Sequence, residues 1–149
     1  MKTTVGELLE KKGHQVWSVS PQTTVYDALH LMAEKDIGAT VVMDRGSVAG
    51  MFSERDYARK IVLKGRSSKE TPVSDIMTCT VCHVRPEITI DECMELMTEK
   101  RVRHLPVVQD GKLVGIVSIG DVVKAIIAEQ ASAVQELEAY VDVALKGKR

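Results

Sequence analysis

The feature that most constrains this chain is that it can be laid on itself. At an offset of 65 residues, Val19 to Ile61 aligns with Val84 to Ile126 without a gap. Pro21 falls on Pro86, Thr24 on Thr89, Leu31-Met32 on Leu96-Met97 and Gly46 on Gly111. The run GMFSERD, residues 50 to 56, falls on GIVSIGD, residues 115 to 121, so a Gly-x-x-Ser-x-x-Asp corner occurs twice. The pattern holds even where letters change. Val25, Ala28, Leu29 and Met32 form an i, i+3, i+4, i+7 stripe, repeated by Ile90, Cys93, Met94 and Met97. Two copies of ~60 residues are too few for a solenoid, and they predict two similar small units packed together.

Each copy reads as β-α-β-β-α. A short apolar strand (Val16 to Val19; Thr80 to Val84) ends at Pro21 or Pro86. The striped helix begins near Thr24 or Thr89 and fades by Asp36 or Arg101. A hairpin follows, Thr40 to Met43 with Val48 to Phe52, then Leu105 to Val108 with Leu113 to Val117. Gly46 and Gly111 supply the permissive backbone of the turns. A second helix closes each copy, with Tyr57, Ala58, Ile61 and Val62 matched by Val122, Val123, Ile126 and Ile127. Val5 to Leu9 and Val73 to Met77 are short helical lead-ins, GRSSKETP (65–72) is a linker, and the tail from Ala131 to Leu145 is a further amphipathic helix. The expected organisation is α+β: a first unit with its lead-in over 1–66, a second with the linker over 67–130, and a C-terminal helix over 131–149.

Composition limits what such a body can do. The net charge of −1 gives no global field that would draw it onto nucleic acid or a membrane. No apolar run approaches the roughly 20 residues a membrane helix needs, and MKTTVGELLEKKG lacks the apolar stretch of a signal peptide. Three cysteines, an odd number, argue for a reducing, cytoplasmic setting over a disulfide framework. Cys79-Thr80-Val81-Cys82 lacks the second ligand pair of a structural zinc site, and a strand there would point the two thiols to opposite faces. Cys93 and most of the seven methionines fall on apolar stripes, as core fillers. There is no recognisable nucleophile–base pair or metal cluster, so neither catalysis nor a metal is expected.

The repeated corner admits two readings. Ser53 and Ser118 stand where a strand turns into a helix, whose unpaired N–H groups and dipole favour an anion. Asp56 and Asp121 suit the vicinal hydroxyls of a ribose. Gly50 and Gly115 allow backbone or ligand to come close. The competing reading is a capping box, in which Ser and Asp merely satisfy backbone donors. Ser fits a cap in either case; the duplication and the added Gly favour a ligand for the Asp.

GMFSERD, GIVSIGD, the strand entries DIGATVVMD and RVRHLPVVQD, and the lead-in PVSDIMT together resemble a tandem pair of CBS domains, the regulatory modules named after cystathionine β-synthase. The resemblance covers residues 5 to 130, and FSERDYARKIVLKGRSS is similar to a stand-alone two-domain subgroup. It implies two units packed through their sheets about a pseudo-twofold axis, leaving two clefts, one or both of which hold adenosine ligands: AMP foremost, or NAD, ATP or S-adenosylmethionine. It further implies that the Asp of each corner holds ribose, that the Ser lies near phosphate, and that the opposite unit supplies adenine contacts. One cleft would then join Ser118 and Asp121 to Ile37, Gly38 and Ala39, and the other Ser53, Arg55 and Asp56 to Val102, Arg103 and His104. Arg103 and His104 could meet phosphate, whereas Gly38 and Ala39 leave room, so the clefts are expected to differ. Arg59 and Lys60 read as surface charges, and Trp17 either stacks near adenine or packs.

Two functions follow. One is a non-catalytic regulatory module that binds adenosine nucleotides. The alternative is a protein-interaction regulator with nucleotide incidental; plant stand-alone CBS pairs, which the chain resembles, suggest a thioredoxin-type partner. In either case the apolar helix stripes (Leu29, Met32, Met94, Met97, Ile61, Val62, Ile126, Ile127) and the tail (Val134, Leu137, Val141, Leu145) predict a homodimer.

Overall fold

The computed structural model describes residues 3–79 and 82–146. In chain order the elements are α1 (Val5–Lys12), β1 (Ser18–Val19), α2 (Val25–Lys35), β2 (Ala39–Asp44), β3 (Ser47–Ser53), α3 (Glu54–Asp56), α4 (Ile90–Lys100), β4 (His104–Gln109), β5 (Lys112–Ser118) and α5 (Ile119–Lys146). α3 runs into a wider π-helical stretch, Tyr57–Val62, and Val73–Asp75 makes one 3-10 turn.

The two copies repeat down to their caps. Thr24 and Thr89 accept from the backbone N–H of Asp27 and Glu92 at 3.1 and 3.2 Å, starting α2 and α4. Asp36 and Arg101 end these helices in the left-handed region, φ 54° and 55°. Each hairpin turns on two residues with positive φ, Arg45-Gly46 and Asp110-Gly111, the twist that suits a two-residue loop. Ala39 then lies opposite Ser53 and His104 opposite Ser118. The first sheet has the order β1-β2-β3, with β1 parallel to β2; the second pairs β4 with β5, and Val84 bridges to Val107 in parallel. Thr80 and Val81, expected to begin that edge strand, lie outside the described residues. β3 meets β5 across the two units, which pack about a pseudo-twofold axis.

Two cores result, and the lead-ins are exchanged between them. Val25, Ala28, Met32, Val42, Phe52 and Ile61 form the first core with Val73 and Ile76, from the lead-in of the second copy. Ile90, Cys93, Met97, Leu105, Val107, Val117 and Val122 form the second with Val5, Leu8 and Leu9, from the lead-in of the first. The same backbone stitching holds each arm. Val5 donates to Ile88 O, Gly6 to Pro86 O, and Ile90 to Thr3 O; likewise Val73 donates to Thr23 O, Ser74 to Pro21 O, and Val25 to Thr71 O, all at 2.8–3.1 Å. Burying Val5 or Leu9 is worth roughly 1.5–3 kcal/mol each, so α1 is anchored in the half of the chain it does not precede.

The corner glycines make room for these arms. A Cβ on Gly50 would lie 2.7 Å from Thr78 O, in the stretch that bridges to Met51, and one on Gly115 would lie 2.7 Å from both Cδ atoms of Leu9. The close approach allowed at Gly50 and Gly115 is thus taken by the protein's own chain.

Two further expectations change. The closing helix of the second copy and the tail are one helix of 28 residues, so the boundary expected at 130/131 falls inside α5. Met32, Met97 and Ile61, offered as exposed stripe, are core at 1–2% exposure. Val62 and Ile127 of the expected stripe are exposed, joined by Leu63 and Val123, and along α5 the expected Val134, Leu137, Val141 and Leu145 are exposed with Tyr140 and Val143. Among the described residues, no helix is long and apolar enough to cross a membrane.

Candidate nucleotide cleft

A cavity of about 480 Å³ opens between the two units, within the roughly 300–1,000 Å³ of small-molecule sites. Ser53, Arg55 and Asp56 line it from the first unit; Val102, Arg103 and His104 line it from the second. These are the six residues expected to share one cleft. Gly38 and Ala39, expected in the other, line the same cavity, because Ala39 pairs with Ser53 across the hairpin and Gly38 sits against the His104 ring. Ile37 packs against the first core.

The corner caps itself. Ser53 Oγ accepts from the Asp56 N–H at 3.2 Å, while Asp56 Oδ2 accepts from the Ser53 N–H at 3.0 Å and lies 3.1 Å from Ser53 Oγ. This is a full capping box. Asp56 Oδ1 faces Lys60 Nζ at 3.1 Å, and Lys60 also donates to Ile76 O at 2.8 Å. Lys60, read as a surface charge, thus braces the corner against the incoming arm.

Four guanidinium groups, Arg55, Arg59, Arg101 and Arg103, line the cavity against two carboxylates, Glu54 and Asp56. Its balance is cationic, which suits phosphate, and planar guanidinium forks suit it better than point charges do. Arg59 was legible only as a surface charge, and Arg101 only as the end of the striped helix. Arg59 follows Arg55 by four residues, and Arg101 is the left-handed residue ending α4, brought to the cleft by that cap. Thr78 and Cys82 complete the wall. Burial holds the His104 imidazole below its ordinary value, helped by Lys12 and Arg103 and opposed by Asp121. Trp17 packs under Lys35, whose Nζ stands 4.2 Å from its ring centroid, and does not line the cavity.

The second corner is built alike and placed differently. Ser118 N–H donates to Asp121 Oδ2 at 2.8 Å, and the Asp121 N–H donates to Ser118 Oγ at 3.1 Å. Asp121, however, pairs with Lys12 from α1 and borders a groove between α1 and α5 with Lys11, Lys124 and Ser132. Burial alone would push its carboxyl up, but Lys12 and the Ser118 N–H outweigh that and hold it below its ordinary value. Of the residues expected in the second cleft, Asp121 borders this groove, Gly38 and Ala39 line the first cavity, and Ser118 lies opposite His104 on the hairpin.

All three cysteines are free. Burial, then the nearby Cys82, pushes the Cys93 thiol up to about 11, which makes it inert.

Paired β-α-β-β-α units with exchanged lead-ins and an arginine-lined cavity between them define a tandem two-unit module. The CBS domain family matches residues 5–63 and again 73–128, and the chain belongs to it, with two CBS units in one polypeptide. Among curated relatives, the chain is 42% identical over 149 residues to the mitochondrial CBS domain-containing protein CBSX3 of Arabidopsis thaliana, covering 93% of this chain and 72% of that one. Among solved structures, a CBS-domain protein of Burkholderia ambifaria matches with a TM-score of 0.83 at 53% identity, over 86% of this chain and 96% of that one. The CBS domain pair of protein MJ0100, solved with 5′-methylthioadenosine and S-adenosyl-L-methionine, shares the fold at 19% identity and a TM-score of 0.74, over 87% and 99% of the two chains. CBS pairs of this kind are regulatory rather than catalytic modules.

Proposed function

We propose that this chain is a non-catalytic sensor that takes an adenosine nucleotide into the cleft between its CBS units and passes the occupancy on as a change in shape. The observation that carries the reading is the meeting of the Ser53–Asp56 corner with Arg55, Arg59, Arg101 and Arg103 in one cavity. Asp56 would take the ribose hydroxyls, exchanging its Lys60 contact for them. The arginines would take phosphate, and Gly38, Ala39 and Val102 would leave an apolar slot for the base. Four guanidiniums support a ligand with at least one phosphate: AMP first, with NAD or ATP as the longer candidates. That the same fold in MJ0100 holds two adenosine derivatives supports the base and sugar part of the reading.

The protein so read acts in a reducing cytoplasm, consistent with its free thiols. It works as a homodimer whose contact uses the exposed apolar stripe of α5. A native-state ligand must raise the melting temperature. AMP, ADP, ATP, NAD and S-adenosylmethionine should be compared with GMP and UMP by thermal shift and titration calorimetry. A dose-dependent rise for the adenine compounds supports the sensor; no response to any of the five overturns it.

A further inference from the structure

The two corners share a sequence motif, but the cation at each has a different origin. At Asp56 it is Lys60, four residues along the same helical run, 3.1 Å from Oδ1. The position equivalent to Lys60 in the second copy is Ala125, so the second corner has no lysine of its own there. Its cation comes from across the fold. Lys12, the last residue of α1, places Nζ 2.5 Å from Asp121 Oδ2 and 2.7 Å from Ile116 O.

The helix that carries this lysine is anchored. Val5, Leu8 and Leu9 root α1 in the second core, Gly13 N–H caps the helix on Leu9 O at 2.6 Å, and His14 Nδ1 lies 2.9 Å from Val114 O. Lys12 and His14 thereby fasten the end of α1 along β5, at Ile116 and Val114. For Asp121 to hold a ribose, it would have to give up a 2.5 Å bond to an ammonium brought in from the other half of the chain, a closer pairing than the 3.1 Å Lys60 contact that Asp56 exchanges.

We infer that Lys12 is the built-in occupant of the second corner, so that the folded chain takes nucleotide only in the cleft at Asp56. Lys12 is then the residue that sets a stoichiometry of one. This rests on the nucleotide reading above. It also makes the sequence repeat deceptive, for two corners give one working site because the arm from the other half supplies a cation to one of them.

Titration calorimetry with AMP and with ATP tests this on the intact chain. The wild type should take one equivalent, and Lys12→Met, which keeps the length of the side chain and removes its charge, should take two. Lys12→Arg should stay at one, and Lys12→Met/Asp121→Ala should return to one. Lys12→Gln provides the same comparison if Lys12→Met does not fold. Two equivalents in the wild type, or one in folded Lys12→Met and Lys12→Gln, overturns the inference while leaving the nucleotide reading intact. If neither wild type nor the Lys12 variants bind AMP or ATP, the nucleotide reading fails and this inference falls with it.

Discussion

Leu9 occupies the space that a side chain on Gly115 would need: a Cβ there would stand 2.7 Å from both of its Cδ atoms. Leu9 is wholly buried, and it belongs by sequence to the other half of the chain. The glycine of the repeated corner is thus a docking notch for the exchanged arm. At Gly50 the corresponding intruder is a backbone carbonyl, Thr78 O, which cannot rotate aside as a leucine can.

Gly115→Ala should therefore destabilise by about 1–3 kcal/mol, the usual cost of overpacking, and Gly50→Ala should lie at the upper end of that range or beyond. Leu9→Ala should cost about 2–5 kcal/mol. Because the two groups compete for one space, Gly115→Ala and Leu9→Ala should be less than additive. Urea melts of the four proteins check it, and strict additivity would separate Leu9 from the glycine.

Asp56→Ala should show two effects of different size. Loss of its part in the capping box should cost about 1 kcal/mol of stability, and AMP binding should weaken well beyond what that loss explains. Arg103→Ala should weaken AMP by roughly ten- to a hundred-fold, as expected for a charge-assisted bond of about 1.5–3 kcal/mol, and leave adenosine nearly untouched. Calorimetry with both ligands decides; equal losses for AMP and adenosine would place Arg103 away from phosphate.

His104 gives a pH signature whose sign is fixed. Its folded value lies below the ordinary 6.5, chiefly through burial, so between the two values the unfolded chain binds more protons. Stability should fall as the pH drops from about 6.5 toward the folded value, then level off with respect to this group. His104→Gln should flatten that stretch of the curve in chemical denaturation. Phosphate in the cleft favours the imidazolium, so AMP binding near pH 6 should take up protons in the wild type and not in His104→Gln. Calorimetry in buffers of differing ionisation heat reads this directly.

Removing residues 131–149 deletes the exposed stripe of Val134, Leu137, Val141 and Leu145, which lie 46–62% exposed. Light scattering should give twice the chain mass of 16.4 kDa for the full chain and a lighter, looser species for the truncated one. A full-length chain that stays monomeric at micromolar concentration would refute the dimer.

The element order was legible because the duplication prints each element twice: Thr24 and Thr89 cap alike, and Gly46 and Gly111 turn alike. The unbroken α5 was also there to be read, since no Gly or Pro stands between Asp121 and Lys146. The arm exchange was not. Val5, Leu8 and Leu9 declare an apolar face, but two cores of similar composition can receive it, and only three-dimensional packing chooses. Lys12 at Asp121 escaped for the same reason, being 109 residues away in the chain. Arg101 escaped because a charged residue at a helix end looks solvated until the cap turns it inward.

The exchanged arms make this polypeptide resemble two swapped subunits joined end to end. Val73 and Ile76 complete a body whose other parts come from before the linker, while Val5, Leu8 and Leu9 complete the one that follows it. A nick anywhere in 65–72 would therefore yield fragments that remain clasped, each still holding a piece the other requires. The same entanglement acts mechanically. A hinge motion between the halves cannot leave either core undisturbed, because it pulls on a lever rooted in the opposite one.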